Sequence, residues 1–411
     1  MNKLLHSKYT WVFFLGSISF VLLTGEVINE RLRMHDLEVY YRTAARLMQG
    51  EALYRIATDG HYVYKYSPTA AIYFIPFLLL PFSVAKVLYW VLLTFLTGVA
   101  FQLFYRMLLP QDGLASDNRK QNIVLLLSFL AVAVHLHREW HLGQVNLLLL
   151  GLYIFMMKGL VHGKPVVAGL LLAASLFIKP FGLIFFPYLL LKQRYRTIFY
   201  AVGFILLLGL LPMLFYPSLP AFKHLYLSWF QELTIELKAK QRLLTEGNHT
   251  IFSVLARYTP VQYALTSAAA IKVYQFVLLV LIGGLFLLFN RWGRQLREQQ
   301  VPELAFLIAL VPLFAFTSEN AFLFTAPCIM YLVYNYQNFS LAGKAALILA
   351  CFLIGATIRD VTGAAVYGYL QALSVYSVGT VLLLVLMFAL QYKKKGKTLD
   401  NNPRKGEEIR A

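Results

Sequence analysis

"AGLLLAASLFIKPFGLIFFPYLLLKQRYR", residues 168–196, holds two apolar runs parted by Lys179 and Pro180, and it ends on Lys192, Arg194 and Arg196. Runs of this kind suit helices that cross a hydrocarbon layer of about 30 Å. An ammonium between two such runs is costly in lipid, so Lys179 either meets an anionic partner or snorkels its head group to the interface. The basic cluster at the far end marks the opposite face, because Lys and Arg collect in cytoplasmic loops.

Working outward, comparable runs fall at 10–28, 84–108, 121–138, 144–161, 165–179, 180–192, 196–216, 269–289, 302–317, 321–336, 344–358 and 374–391. Composition agrees: of 411 residues 59% are hydrophobic and 14% charged, and the mean hydropathy is +0.63, far above ordinary soluble domains. The expected fold is an all-α polytopic integral membrane protein of about twelve spans. Arg106, Arg119 and Lys120, then Lys158 and Lys164, then Arg291, Arg294 and Arg297, then "KKKGK" from Lys393 fall on one side of that count, which places both termini in the cytoplasm. The basic start and apolar middle of residues 1–27 lack a small-x-small cleavage site and read as an uncleaved first span.

The same parity requires that "SPTAAIYFIPFLLLPFS", residues 67–83 with Pro68, Pro76 and Pro81, does not cross. It is expected to be juxtamembrane or re-entrant on the outer side. One membrane domain then covers residues 1–392, with long outer loops at 29–83 and 217–267 and a basic cytoplasmic tail, residues 393–411, expected to be disordered. Cys328 and Cys351 lie in apolar runs with no ligand spacing. The net charge of +18 is spread along the chain, which suits anionic lipid or a phosphate-bearing substrate and not nucleic acid.

Polar residues mark almost every outer turn, so binding or chemistry is expected there. In "HDLEVYYRTAARLMQGEALY", residues 35–54, an amphipathic interfacial helix is expected to begin at Asp36. Leu37, Tyr41, Ala44 and Met48 would share one face, Gly50 would end the helix, and Asp36 would be its N-cap. An N-cap carboxylate can still accept a proton from a bound hydroxyl. In "HLHREWHLGQVN", residues 135–146, the side chains of His141, Gln144 and Asn146 suit sugar hydroxyls or phosphate, and equally helix caps or interhelical hydrogen bonds. His137 and His141 stand at metal-binding spacing, but no third ligand is evident and no metal is expected. "NHT" at 248–250 has the form of a glycosylation sequon.

The segments at 35–54 and 62–93, then "GQVNLLLLGLYIF" at 143–155, then the opening stretch, resemble glycosyltransferase family 87, a group of polyprenyl-phosphate-sugar-dependent enzymes with the GT-C fold that includes phosphatidylinositol-mannoside mannosyltransferases. Fainter likeness continues at "EGNHTIFSVLARY" (246–258) and "TSENAFLFTAP" (317–327). The resemblance implies a GT-C-like bundle in a bacterial cytoplasmic membrane with its site outside. It implies an inverting transfer of a hexosyl, mannosyl by the family's example, to a lipid or glycan hydroxyl. Asp36 would be the general base, and Lys179, Arg42, Lys65, Arg138 and Arg359 are candidates to hold the donor phosphate. Tyr40, Tyr64, Tyr66, His141, Gln144, Asn146, Asn248, His249 and Glu319 are candidates for sugar or acceptor binding, although each tyrosine also suits an interfacial belt. The partners are then the polyprenyl-phosphate donor, the acceptor and membrane lipids; the donor is a substrate and no cofactor is implied. No Gly-rich phosphate loop is present, as expected if no nucleotide binds. A polysaccharide polymerase or ligase, or a lipid or sugar transporter, are the alternatives; the absence of related halves disfavours transport.

Overall fold

The computed structural model describes residues 5–60, 62–109, 117–240, 243–245, 247–293, 299–314, 319–355 and 358–400. Among these the regular elements are helices, and no strand occurs. The chain divides into two compact units, one of residues 1–104 and 135–242, the other of residues 105–134 and 243–411.

The first unit runs through α1 (Thr10–Ile28), α2 (His35–Gln49), α3 (Pro68–Ile72), α4 (Phe82–Met107), the end of α5 (Asn118–Leu142), α6 (Asn146–Val161), α7 (Pro165–Ile178), α8 (Phe185–Leu191), α9 (Tyr195–Leu210) and α10 (Leu219–Lys240). Lipid tails are as apolar as leucine, so helices associate through close approach and interhelical hydrogen bonds. On α1, Ser19 Oγ lies 2.7 Å from Thr94 Oγ1 of α4 and accepts the Trp90 indole N–H at 2.9 Å. A Cβ on Gly169 of α7 would lie 2.8 Å from the Ala201 backbone nitrogen of α9, so only glycine allows that approach.

The second unit takes the start of α5, then α11 (Ile251–Tyr258), α12 (Ala268–Gly293), α13 (Gln300–Phe314), α14 (Ala326–Tyr334), α15 (Leu341–Gly355), α16 (Arg359–Thr362), α17 (Ala364–Ala372) and α18 (Val375–Asp400). Residues Val301–Leu313 of α13 are buried all round, as a helix without a polar face should be. Beside it α15 crosses α18 closely, where a Cβ on Gly379 would meet the Ala350 carbonyl oxygen at 2.9 Å.

All twelve apolar runs are at least partly helical, but among the described residues six helices are long and apolar enough to cross a membrane: α1, α4, α5, α9 with its 3-10 extension to Leu214, α12 and α18. Among the shorter helices, α7 ends at Ile178, before Lys179 and Pro180. Residues 67–83 form α3 and a 3-10 turn, Ile75–Leu79, too short to span, before α4 starts at Phe82. The expected tail disorder needs correction over 393–400, where α18 continues unbroken, while 401–411 lie outside the described residues.

Two further expectations about α2 change. The helix starts at His35 after Met34, whose φ of 48° is left-handed, so Asp36 is the second helical residue and not the N-cap. Its buried face is Leu37, Val39, Tyr40, Thr43, Ala44 and Leu47, while Met48 is exposed. The face is rotated because α2 packs on α3 and its neighbouring 3-10 turn instead of presenting one narrow stripe to lipid. Gly50 does end it, at φ 70°.

Against the start of α2 sits the turn between α5 and α6. Gly143 has φ 69°, and a Cβ there would lie 2.7 Å from Leu37 Cβ and 3.3 Å from Met34 Cβ. Gly143→Ala therefore combines a strained backbone with overpacking and should cost about 2 kcal/mol or more. Gly203→Ala, on α9 with nothing within 4 Å of its added methyl, should leave stability unchanged or slightly raised. Thermal unfolding of both variants in detergent checks the contrast; equal melting points would refute it.

Candidate active site

In the first unit the turn after α5 gathers the polar groups. Glu139 is fully buried and accepts hydrogen bonds from Asn146 Nδ2 at 2.8 Å and from the Leu147 backbone N–H at 3.1 Å. Through Leu147 its carboxylate serves one of the open N–H groups that begin every helix. The other face of Asn146 is then free to serve a cation: Lys179 Nζ donates to Asn146 Oδ1 at 2.7 Å. Two residues earlier, Gln144 Nε2 donates to Asp36 Oδ2 at 2.5 Å, and Tyr89 Oη donates to the Gln144 carbonyl at 3.1 Å. Gln144 Oε1 is buried and accepts no hydrogen bond among the described residues.

This turn thus holds a carboxylate through one amide and an ammonium through another. Burial raises the pKa of Asp36 above the ordinary carboxylate value; the Gln144 hydrogen bond and the positive charges of Lys179, His35 and Lys65 oppose it. A raised pKa makes the carboxylate a better base, and its ionised form is lost as pH falls through that raised value. Tyr40 and Tyr66 stand beside it with hydroxyls 3.1 Å apart. Burial holds both phenols protonated well beyond neutral pH, with neighbouring Asp36 adding to the effect. The Lys179 ammonium lies 5.8 Å from the Tyr66 ring centre and 5.4 Å from that of Phe181.

Other candidates of the first unit make contacts of their own, although Tyr64 also packs edge-on against Tyr66, with ring centres 5.8 Å apart. Arg42 pairs with Glu38 and lies 3.6 Å from Asp59. Asp59 is also gripped at 2.5 and 2.7 Å by Arg46, which holds its carboxyl below the usual range. Tyr64 is buried and donates to the Ser67 carbonyl at 2.8 Å, supporting the cap of α3. His141 Nδ1 meets Glu26 Oε2 of α1 at 2.9 Å, and His137 Nε2 approaches Glu26 Oε1 at 3.5 Å. Arg138 is half-buried in the same turn of α5. Among the described residues no group of three or more His, Cys, Asp or Glu has a metal-holding arrangement.

The second unit has a cluster of its own. Asn248 is buried, and its Oδ1 accepts from the Thr250 backbone N–H at 3.1 Å and from Thr250 Oγ1 at 2.8 Å. Its side chain shapes the turn that Thr250 uses to cap α11, which disposes of the sequon as a surface acceptor. His249 Nδ1 lies 3.0 Å from Ser374 Oγ, with its ring edge-on to Tyr376. Burial lowers the His249 pKa; Glu319 pulls it up and Arg257 pushes it down, so the ring is neutral near pH 7. Glu319 accepts from Tyr367 and Tyr376 at 3.3 and 3.2 Å, and Gln371 Nε2 donates to both phenols, at 2.8 and 3.0 Å. Arg359 is exposed at the start of α16.

Sequence reasoning missed Glu139 as the organiser of the first cluster, and Tyr367, Gln371 and Tyr376 in the second. A signal for Glu139 was present, an acid at the end of an apolar run followed by Gly143, Gln144 and Asn146. For the α17 and α18 residues no local pattern pointed to Glu319.

The profile of glycosyltransferase family 87 matches residues 64–318, more than half of the 411 residues. The match contains Lys65, Tyr66, Glu139, Gln144, Asn146, Lys179, Asn248 and His249, with Asp36 before it and Glu319 just after it. Among solved structures, ArnT from Cupriavidus metallidurans bound to undecaprenyl phosphate is similar at 12% identity and a TM-score of 0.44, over 97% of this chain and 80% of that one. No curated protein matches. By the extent of the family match, this multi-pass membrane chain is a glycosyltransferase and belongs to glycosyltransferase family 87.

Proposed function

We propose that the protein transfers a hexosyl residue, mannosyl by the family's example, from a polyprenyl-phosphate sugar to a hydroxyl of a lipid or glycan acceptor. The reaction would occur on the outer side of a bacterial cytoplasmic membrane, with inversion. The reading rests above all on one observation: Gln144 binds Asp36 and Asn146 binds Lys179, so one turn holds both a carboxylate and an ammonium.

The chemistry follows from those two charges. The acceptor hydroxyl attacks C1 of the sugar and its proton passes to the Asp36 carboxylate. The bond from C1 to the phosphate oxygen breaks, and polyprenyl phosphate leaves with the electron pair. Negative charge that grows on that oxygen is met by Lys179, with Lys65 adding to the positive field, and such preset charge is often the largest catalytic contribution. Tyr40 and Tyr66, which stay protonated, supply donors for sugar hydroxyls or phosphate. The basic clusters fit loops on the cytoplasmic side, leaving the Asp36 end of the fold outside.

Transfer of label from a radiolabelled polyprenyl-phosphate mannose to membrane-lipid acceptors gives the assay. Asp36→Asn should lower kcat by about 10²–10⁴-fold with the protein still folded. The wild-type rate should fall on the acid side with an apparent pKa above the ordinary aspartate range, because the raised Asp36 must be ionised to accept a proton. Retained activity in Asp36→Asn would remove the base assignment. Lys179→Met should lower kcat by about 10²–10³-fold, and an unchanged kcat and donor KM would take Lys179 out of the mechanism.

A further inference from the structure

The second unit carries a groove of about 950 Å³ bounded by the first half of α5, the end of α14 and the face of α15. Its walls include Ile123, Leu127 and Leu130 of α5, and Leu347, Ile348 and Phe352 of α15. Leu130, Ile348 and Phe352 are 56%, 62% and 63% exposed, so the groove opens sideways where hydrocarbon would lie. One end is closed by contact between the two helices, since a Cβ on Gly355 would sit 2.6 Å from the Ala131 carbonyl oxygen.

The other end is cationic. Arg119 and Lys120 line it and are exposed at the first turn of α5. The Lys120 ammonium lies 3.7 Å from the centre of the Tyr334 ring, and Lys344 lies 5.0 Å from that of Tyr336, another lining residue. Among the described lining residues Asp117 is the one acid, and its Oδ1 accepts the Arg119 backbone N–H at 2.9 Å. An apolar cleft that opens to lipid and ends in two lining cations, with Lys344 beside the lining Tyr336, matches a molecule with an acyl chain and an anionic head at the membrane surface.

Two lipid classes share that chemistry, and the length of α5 separates them. Arg119 and Glu139 stand twenty residues apart on one helix, which is about 30 Å, a membrane thickness. A donor phosphate at Arg119 would stand at the end of α5 opposite Glu139. We propose that the groove binds an anionic glycerophospholipid, its phosphate among Arg119, Lys120 and Lys344 and an acyl chain along Leu127, Ile348 and Phe352. The lipid belongs to the leaflet opposite the one reached by the Glu139 end of α5.

Native mass spectrometry of the full-length, delipidated protein tests this, with phosphatidylglycerol, phosphatidylcholine and decaprenyl phosphate offered at equal concentration. The wild type should retain phosphatidylglycerol over phosphatidylcholine by roughly tenfold or more, since each basic residue near a membrane surface contributes about fivefold. The Arg119→Gln/Lys120→Gln double variant should lose most of that preference. Ile348→Trp, which fills the cleft from an exposed position, should lose it with the charges intact, and wild-type melting points would show that both variants are folded. Equal retention of the two phospholipids by the wild type, a preference that survives the double variant, or displacement of phosphatidylglycerol by decaprenyl phosphate would each overturn the proposal. None of these outcomes depends on transferase activity.

Discussion

The hydrogen bonds that satisfy the buried carboxylate of Glu139 are the constraint on which the first unit's site depends. A carboxylate removed from water costs several kcal/mol unless its oxygens are met. Here both oxygens are met from one short segment, by the side chain of Asn146 and the backbone of Leu147. That requirement fixes the path from α5 into α6. The tight path needs Gly143 in a left-handed conformation, and it brings the turn against Met34 and Leu37 at the start of α2. Gln144 and Asn146 are thereby aimed at groups on α2 and at the end of α7, which are more than 30 positions away in sequence.

Two groups of charged residues in this unit do different work. Arg42, Arg46, Glu38 and Asp59 neutralise one another on the far side of α2 and tie the helix to the loop that follows it. The pairs of half-exposed Arg42 contribute little stability, while the better shielded Arg46–Asp59 pair keeps the loop beside the helix. Asp36 and Lys179 are each held by a neutral amide, Gln144 and Asn146, which orients the charge. A carboxylate with an amide partner keeps a pKa raised by burial, whereas Asp59 beside Arg46 is lowered.

Apolar runs made the helical class and most element positions readable in advance, because hydropathy needs no knowledge of partners. That Lys179, Gln144 and Asn146 stand apart from apolar packing was also readable, since polar groups between apolar runs are rare, and the structure joins Lys179 to Asn146. What could not be read was pairing. Arg42 and Asp59 are seventeen positions apart with no shared periodicity, and His141 is committed to Glu26 across more than a hundred residues. The cap at Asp36 was misplaced by two positions because Met34, a buried apolar residue, occupies a left-handed conformation usually left to glycine or asparagine. Such strain costs about 1 kcal/mol or more and persists only where the surroundings impose it.

One detail of the Gln144 amide has a consequence for selectivity. One N–H of the amide goes to Asp36 and the nitrogen carries a second, while the amide oxygen is buried and accepts no hydrogen bond among the described residues. A group settling there must bring an O–H or N–H of its own. An ether or methylated position at that spot would leave two acceptors facing each other in a dry site, at a cost of about 1–3 kcal/mol. On the proposed function, the amide oxygen would favour a sugar that brings an O–H to this spot over one whose oxygen there is methylated.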